Sequence, residues 1–177
     1  QGRYNRPVEL IVSHIGADFD AVASMLAARR LHPDARLFFP GSREESVRRW
    51  LAEQPVDLRE LRHKEVEPSS LRRVILCDTR QRDRLGVVGE WLTAYQDVEV
   101  VAYDHHPDTP EDVRHTSGLV DASVGATATL MCEELRSQEI MPAIDEATAL
   151  LLGLYEDTGS LTYATTSPRD LAAAGWL

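Results

Sequence analysis

Three short apolar runs in this chain each end on a residue that a protein core does not tolerate unaided. Val8 to Ser13 runs into His14, Leu71 to Cys77 into Asp78, and Val98 to Tyr103 into Asp104. Aliphatic and β-branched runs of this length read as buried strands. Ala35 to Phe39 and the pair Leu119-Val120 add two shorter ones. Helical patterns separate them: Ala21 to Leu31, Arg43 to Glu53 after the Pro40-Gly41 breaker, and Leu85 to Tyr95. Val124 to Ser137, Asp145 to Glu156 and Ser167 onward follow as further helices. Strands alternating with helices build right-handed βαβ units on a mainly parallel sheet. The expected fold is therefore α/β, with three α/β/α layers around a mostly parallel five-stranded sheet. Ligands of such sheets collect beyond the carboxyl ends of the strands. That is where His14, Asp78 and Asp104 fall.

Length and charge narrow the options. At 177 residues one domain with a full core is expected. No apolar stretch reaches the roughly 18–20 residues of a membrane helix, and the longest, Ala147 to Tyr155, falls well short. No membrane partner is expected. Gln1-Gly2 reads as a protease-site remnant, and no signal-peptide pattern follows it. Cys77 and Cys132 sit in apolar surroundings without a disulfide framework, which predicts buried, reduced thiols and a cytoplasmic location. The net charge of −10 argues against a basic nucleic-acid surface. A bound metal pair supplies local positive charge, so an acidic chain can still take an anionic substrate. Arg72, Arg73, Arg80, Arg82 and Arg84 nevertheless bracket Asp78.

The chemistry-bearing residues form four groups. His14-Ile15-Gly16-Ala17-Asp18-Phe19-Asp20 offers an imidazole and two carboxylates around a tight turn. Two residues apart, Asp18 and Asp20 can face two adjacent cations. They also have plainer roles, Asp20 as an N-cap and Asp18 as a solvated loop acid. Asp78, at the tip of a buried strand, is costly unless paired or metal-bound; an Asx-turn is the alternative. Asp104-His105-His106-Pro107 is more telling, because adjacent side chains diverge and one histidine can bind metal while the other faces substrate. Asp157 closes an apolar helix against the macrodipole, which invites a cation; Glu156 is the alternative ligand. Four acids with two or three histidines suit two divalent metals sharing a bridging carboxylate, and such sites hydrolyse phosphoryl bonds.

Gly125-Ala126-Thr127 opens a helix whose free N–H groups could receive a phosphate oxygen, or else packs as an ordinary small-residue start. Arg80, Arg82 and Arg84 could clamp phosphate or form a solvated face. His32, His63 and His115 lack acidic partners and read as surface residues.

These motifs, in this order, resemble the DHH phosphoesterases over nearly the whole chain. The matching segments are His14-x-x-x-Asp18-x-Asp20-Ala21 with Ser24 following, the strand-end Asp78, Asp104-His105-His106, and Glu156-Asp157-Thr158-Gly159. Ala17-Asp18-Phe19-Asp20-Ala21-Val22-Ala23-Ser24 is similar to a bacterial subgroup in which the domain is fused to CBS and polynucleotide adenylyltransferase (tRNA nucleotidyltransferase) modules and is called exopolyphosphatase-like. Such relatives usually carry Asn where this chain has Gly16. The resemblance implies a Rossmann-like catalytic domain over residues 1–177, a fragment lacking the C-terminal DHHA1 domain. It implies His14, Asp18 and Asp78 around one metal, and Asp20, Asp78, His105 and Asp157 around the other, with Asp78 bridging. Manganese is the expected ion, with magnesium possible.

By the same resemblance His106 contacts the substrate phosphate or assists the leaving group, Asp104 orients the histidines, and Asp78, Asp104 and His106 form the catalytic set. Arg80, Gly125, Ala126 and Thr127 complete the expected substrate-binding residues. The expected activity is two-metal hydrolysis of a phosphodiester in a nucleotide, short oligonucleotide or cyclic dinucleotide. Phosphoanhydride hydrolysis, as in pyrophosphatase or exopolyphosphatase relatives, is the first alternative. A nucleotide-sensing module without turnover, attached to an RNA nucleotidyltransferase, is the second.

Overall fold

The computed structural model describes residues 7–54 and 56–177. The reading of Gln1-Gly2 lies outside them. Five strands form one sheet: β1 (Val8–Val12), β2 (Arg36–Phe38), β3 (Leu71–Cys77), β4 (Glu99–Asp104) and β5 (Ser117–Val120). The order is β2-β1-β3-β4-β5 and every pairing is parallel. The helices are α1 (Phe19–Leu31), α2 (Glu45–Glu53), α3 (Val87–Ala94), α4 (Thr127–Ser137), α5 (Ile144–Asp157) and α6 (Pro168–Trp176).

Strand alternation builds the layers. Ile11, Leu37, Ile75, Cys77, Val101 and Tyr103 point to one face, where α1, α4 and α5 bury their alanines and leucines. Leu10, Val12, Phe38, Val74, Leu76, Val100 and Ala102 point to the other, against Val88, Trp91 and Leu92 of α3. Strands buried on both faces read as near-continuous apolar runs, which is why β1, β3 and β4 are evident in the sequence.

The strand order reverses between β1 and β3, because β2 lies to one side of β1 and β3 to the other. This switch point opens a crevice at the carboxyl ends, the standard ligand position of such sheets. His14 and Asp78 flank it. At Gly153 a Cβ would come within 2.7 Å of the Asp20 Cα, so a glycine there lets α5 press against the start of α1. That close approach brings Asp157, at the end of α5, to Asp20. The link from β4 to β5, residues 105–116, has no helix, although parallel strands usually return through one. It carries both histidines of the triplet.

Boundaries differ in places for physical reasons. Helix α1 starts two residues early because Asp18, not Asp20, is its N-cap, accepting from the Ala21 N–H at 2.9 Å. The segment expected as one helix from Leu85 splits at Gly86, whose φ of +53° ends a 3₁₀ turn (Arg82–Leu85) before α3 begins. His32 is half-buried, not a surface residue, because its Nε2 lies 3.0 Å from the Tyr103 hydroxyl. Cys77 and Cys132 are buried and free. Among the described residues no helix is long and apolar enough to cross a membrane.

Candidate metal centre

The β1–α1 turn delivers the first group. Gly16 sits at φ +74°, a region that glycine enters freely and asparagine tolerates. An asparagine at this position would therefore keep the turn. The turn sets Asp18 four residues from His14, whose Nε2 lies 3.6 Å from Asp18 Oδ2 and 3.4 Å from Asp78 Oδ2. His14 Nδ1 lies 3.0 Å from the Ile15 carbonyl, a contact that places the proton on Nδ1 and leaves Nε2 facing the carboxylates.

Asp20 lies in the first turn of α1 and is fully buried. Its Oδ2 accepts from the Thr127 N–H and its Oδ1 from the Ala128 N–H, both at 2.7 Å. Each oxygen retains a second lone pair for another partner. The Thr127 hydroxyl donates to Asp78 Oδ1 at 2.8 Å, so one residue anchors both acids. Asp78 itself has φ +61°, a left-handed backbone at a strand end. Such a conformation costs on the order of 1–3 kcal/mol and clusters at functional sites.

His105 repeats the geometry of His14. Its Nδ1 faces the Val124 carbonyl at 3.4 Å, and its Nε2 lies 3.1 Å from Asp157 Oδ2 and 3.7 Å from Asp78 Oδ1. Neither imidazole Nε2 has a well-aligned hydrogen-bond partner, although both atoms are buried. Three carboxylates and two imidazoles thus converge around Asp78 with donor nitrogens unmatched.

Electrostatics carry the same signature. Burial, then repulsion from Asp78 and Asp157, pushes Asp20 well above the usual carboxylate range. Burial also raises Asp157, and the adjacent His105 only partly offsets it. Burial pulls His14 down, but the Asp18 and Asp78 carboxylates outweigh it and push the imidazole up to about 10. Asp18 is lowered: burial raises it, but His14, the Ala21 N–H and the nearby Arg84 charge prevail. Asp20 and Asp157, held up by burial and by their neighbouring carboxylates, indicate a cluster that lacks positive charge.

Two sets of ligand atoms lie within 4.8 Å of one another: His14, Asp18 and Asp78, and Asp20, Asp78, His105 and Asp157. They meet at Asp78. The oxygen and imidazole donors, the orphaned Nε2 atoms and the unneutralised carboxylates fit a pair of divalent cations. A third set joins Asp78, His105 and His106. The His106 Nδ1, however, is 3.9 Å from Asp78 and 2.7 Å from Asp104 Oδ1, to which it is already committed. Glu156 turns away and accepts from the Phe19 N–H at 2.7 Å.

The residues expected to bind substrate divide. His106 is 41% exposed at its side chain, and with His105, Asp157 and Gly125 it bounds a cleft of about 360 Å³. Arg80 differs from expectation. It is 3% exposed, and its guanidinium donates to Asp104, to Asp108 and to the His106 carbonyl. It supports the loop and is not free to clamp phosphate. The N–H groups at the start of α4 also have protein partners: Gly125 donates to Asp170 at 3.0 Å, and Thr127 to Asp20. Backbone amides expected to receive phosphate therefore hold carboxylates. Arg82 folds onto α3, its Nη1 2.9 Å from the Thr93 hydroxyl.

Asp170 is the residue sequence reasoning missed. It is fully buried and also takes the Thr129 and Ser167 hydroxyls, tying α6 to the start of α4. Ser167-Pro168-Arg169-Asp170 carries the capping-box spacing that marks a helix start. Nothing in that spacing reveals its partner in α4.

Comparison with known proteins bears on the family and the fold. Residues 10–154 match the family model described as DHH family, N-terminal domain. The A-adding tRNA nucleotidyltransferase of Geobacter sulfurreducens is 39% identical over 96% of this chain and 19% of its own length. That of Aquifex aeolicus is 30% identical, again over 96% of this chain and 19% of the relative. The chain thus spans about a fifth of these curated relatives. Among solved structures, a putative family II inorganic pyrophosphatase of Methanococcus jannaschii superposes with a TM-score of 0.75 at 21% identity, covering 96% of this chain and 55% of that one. An exopolyphosphatase-related protein of Bacteroides fragilis gives 0.72 at 18%, covering 96% and 53%. Both likenesses bear on the fold.

Proposed function

The chain belongs to the DHH family, and from that premise we propose that it is a divalent-metal-dependent hydrolase of phosphoric ester bonds. The observation that carries the reading is the shared Asp78, toward which the buried, unpartnered Nε2 atoms of His14 and His105 both point. His14, Asp18 and Asp78 would hold one ion, and Asp20, Asp78, His105 and Asp157 the other, with manganese the preferred species and magnesium the alternative. When bound, the ions would lower the pKa of water and neutralise charge on the attacked phosphate.

The chain's own residues do the rest. Thr127 holds Asp78 in place, and the start of α4 holds Asp20. His106, exposed at the cleft and fixed through Nδ1 by Asp104, presents Nε2 to the leaving oxygen.

A diester of a nucleotide, short oligonucleotide or cyclic dinucleotide suits the site better than a small anhydride. Pyrophosphate concentrates charge and needs a dense set of cations. Among the described residues Arg84 is the arginine whose charge reaches Asp18, while Arg80 and Arg82 are engaged elsewhere. The two curated relatives are named as tRNA nucleotidyltransferases. We place this domain in a longer cytoplasmic polypeptide beside DHHA1, CBS and nucleotidyltransferase modules. The test compares a dinucleotide with pyrophosphate under saturating Mn²⁺. Preferential cleavage of the dinucleotide supports the reading, faster pyrophosphate cleavage moves it to the anhydride class, and nucleotide binding without turnover makes the domain a sensor.

A further inference from the structure

The 105–116 link crosses from β4 to β5 without a helix, held by a β-bridge between Asp112 and Gln81, and it carries His105 and His106. One buried side chain contacts it along most of its first half. Arg80 Nε donates to Asp104 Oδ2 at 2.8 Å, Nη1 to Asp108 Oδ1 at 2.7 Å, and Nη2 to the His106 carbonyl at 2.7 Å. Nη1 also lies 3.2 Å from Asp112 Oδ2. The Arg80 main-chain carbonyl accepts from the Val113 N–H at 2.8 Å. Asp112 in turn receives the Thr109 N–H at 2.9 Å and the Thr109 hydroxyl at 2.8 Å. A planar guanidinium fork can meet several partners in fixed directions, which a lysine cannot.

We propose that Arg80 is a positioning residue for His106, holding Asp104 and the His106 main chain so that Nε2 of that ring is aimed at the leaving oxygen of the substrate. This rests on the hydrolase reading above. Asp104 Oδ1 holds His106 Nδ1 at 2.7 Å, while Arg80 holds the opposite oxygen and neutralises the carboxylate. The Asp104 carboxylate is therefore fixed on both sides. In the reaction a water oxygen bonds to phosphorus and gives up a proton to solvent, the bond from phosphorus to the leaving oxygen breaks, and His106 passes its Nε2 proton to that departing oxygen. The ring is left neutral with its remaining proton on Nδ1, facing Asp104, and solvent restores the Nε2 proton between turnovers. Such help matters for a poor leaving group and little for a good one.

The experiment uses two diesters with the same nucleotide phosphoryl group and different leaving groups, p-nitrophenol and a second nucleoside. It compares the parent, Arg80→Met, His106→Gln and the double variant in Mn²⁺. We expect Arg80→Met to slow the dinucleotide at least tenfold more than the p-nitrophenyl ester, as His106→Gln does. The double variant should lose no more than His106→Gln alone. Equal losses on both substrates, or losses that multiply in the double variant, overturn the proposal. If Arg80→Met does not fold, Arg80→Lys, which keeps the charge and loses the fork, is held to the same two criteria. An independent readout is the ¹⁵N spectrum of the His106 ring at a pH where it is neutral. A single Nδ1–H tautomer in the parent that becomes a mixture in the variant supports positioning even if neither diester is cleaved, which would defeat the hydrolase reading alone. An unchanged tautomer defeats the positioning role.

Discussion

Two aspartates end neighbouring strands and are almost equally buried, yet their surroundings are opposite. Asp104, at the end of β4, is 1% exposed and has a built-in counterion, the Arg80 guanidinium at 2.8 Å. Asp78, just past β3, is 2% exposed and has no arginine or lysine partner among the described residues. Its neighbours are the Thr127 hydroxyl and three imidazoles at 3.4 to 3.9 Å. A buried carboxylate without a fixed cation is costly. The comparison teaches that burial alone does not mark a metal ligand. The paired acid serves the loop beside it, and the unpaired one remains open to a cation.

Removing the unpaired acid should have the largest effect. Asp78→Ala takes a ligand from both sets at once, so turnover is expected to fall by at least about 10³-fold, equivalent to the several kcal/mol that metal activation supplies. Calorimetric titration with Mn²⁺ should give about two ions for the parent and severe weakening for the variant. Two tight ions in Asp78→Ala would break the comparison outright. Asp104→Asn comes next. It keeps the shape but removes the charge that Arg80 and His106 share, so turnover should drop by about 10²–10⁴-fold, the usual size of a general acid's contribution. Ion stoichiometry should stay as in the parent. An Asp104→Asn protein that loses its Mn²⁺ sites as Asp78→Ala does would erase the distinction between the two acids.

Much of this was legible in the sequence, because strand-end residues announce themselves. β3 was expected at its observed bounds, and His14, Asp78 and the Asp104 triplet each follow a run whose composition fixes it as a buried strand. The convergence of the acids follows from a parallel sheet, in which every carboxyl end lies on one side. What stayed hidden concerns partners distant in sequence. Arg80 and Asp104 are both within hydrogen-bonding reach of many groups, and only the fold shows that they find each other across adjacent strands. Asp170 reaches the start of α4 from α6, 45 residues away from Gly125. The choice between Asp18 and Asp20 as N-cap depended on one turn of backbone. Asp18 takes that role in extended backbone, accepting from the Ala21 N–H, which spacing alone could not show.

The pH dependence of the chelated protein sharpens the contrast further. His14 is raised from 6.5 to about 10 despite its burial, so its contribution to stability is full below 6.5 and is lost as pH rises toward 10. Asp104 is lowered from 3.8: burial opposes this, but His106 and Arg80 prevail. Its contribution is present above 3.8 and is lost as pH falls below that value. In EDTA, the melting temperature should therefore peak between these limits and fall on the alkaline side. Mn²⁺ should restore it most at pH 8–9, where the ions replace the proton that His14 held among carboxylates. A melting temperature in EDTA that climbs steadily to pH 10 would show that the carboxylates around Asp78 do not hold that proton.

The smallest effect is expected from the outermost partner of Arg80. Asp108 accepts from Nη1 at 2.7 Å, but its side chain is 89% exposed. Exposed ion pairs contribute about 0–1 kcal/mol. Asp108→Asn should leave the melting temperature nearly unchanged and alter dinucleotide cleavage by no more than about fivefold, the rate equivalent of that range. Asp104→Asn touches the same guanidinium, and the difference between the two variants isolates what burial adds to one charge. If Asp108→Asn slows cleavage as much as Asp104→Asn, then the set of the loop governs the chemistry. The buried pair would be only one of several pins, and the role assigned to Asp104 would pass to residues 105–112 as a unit.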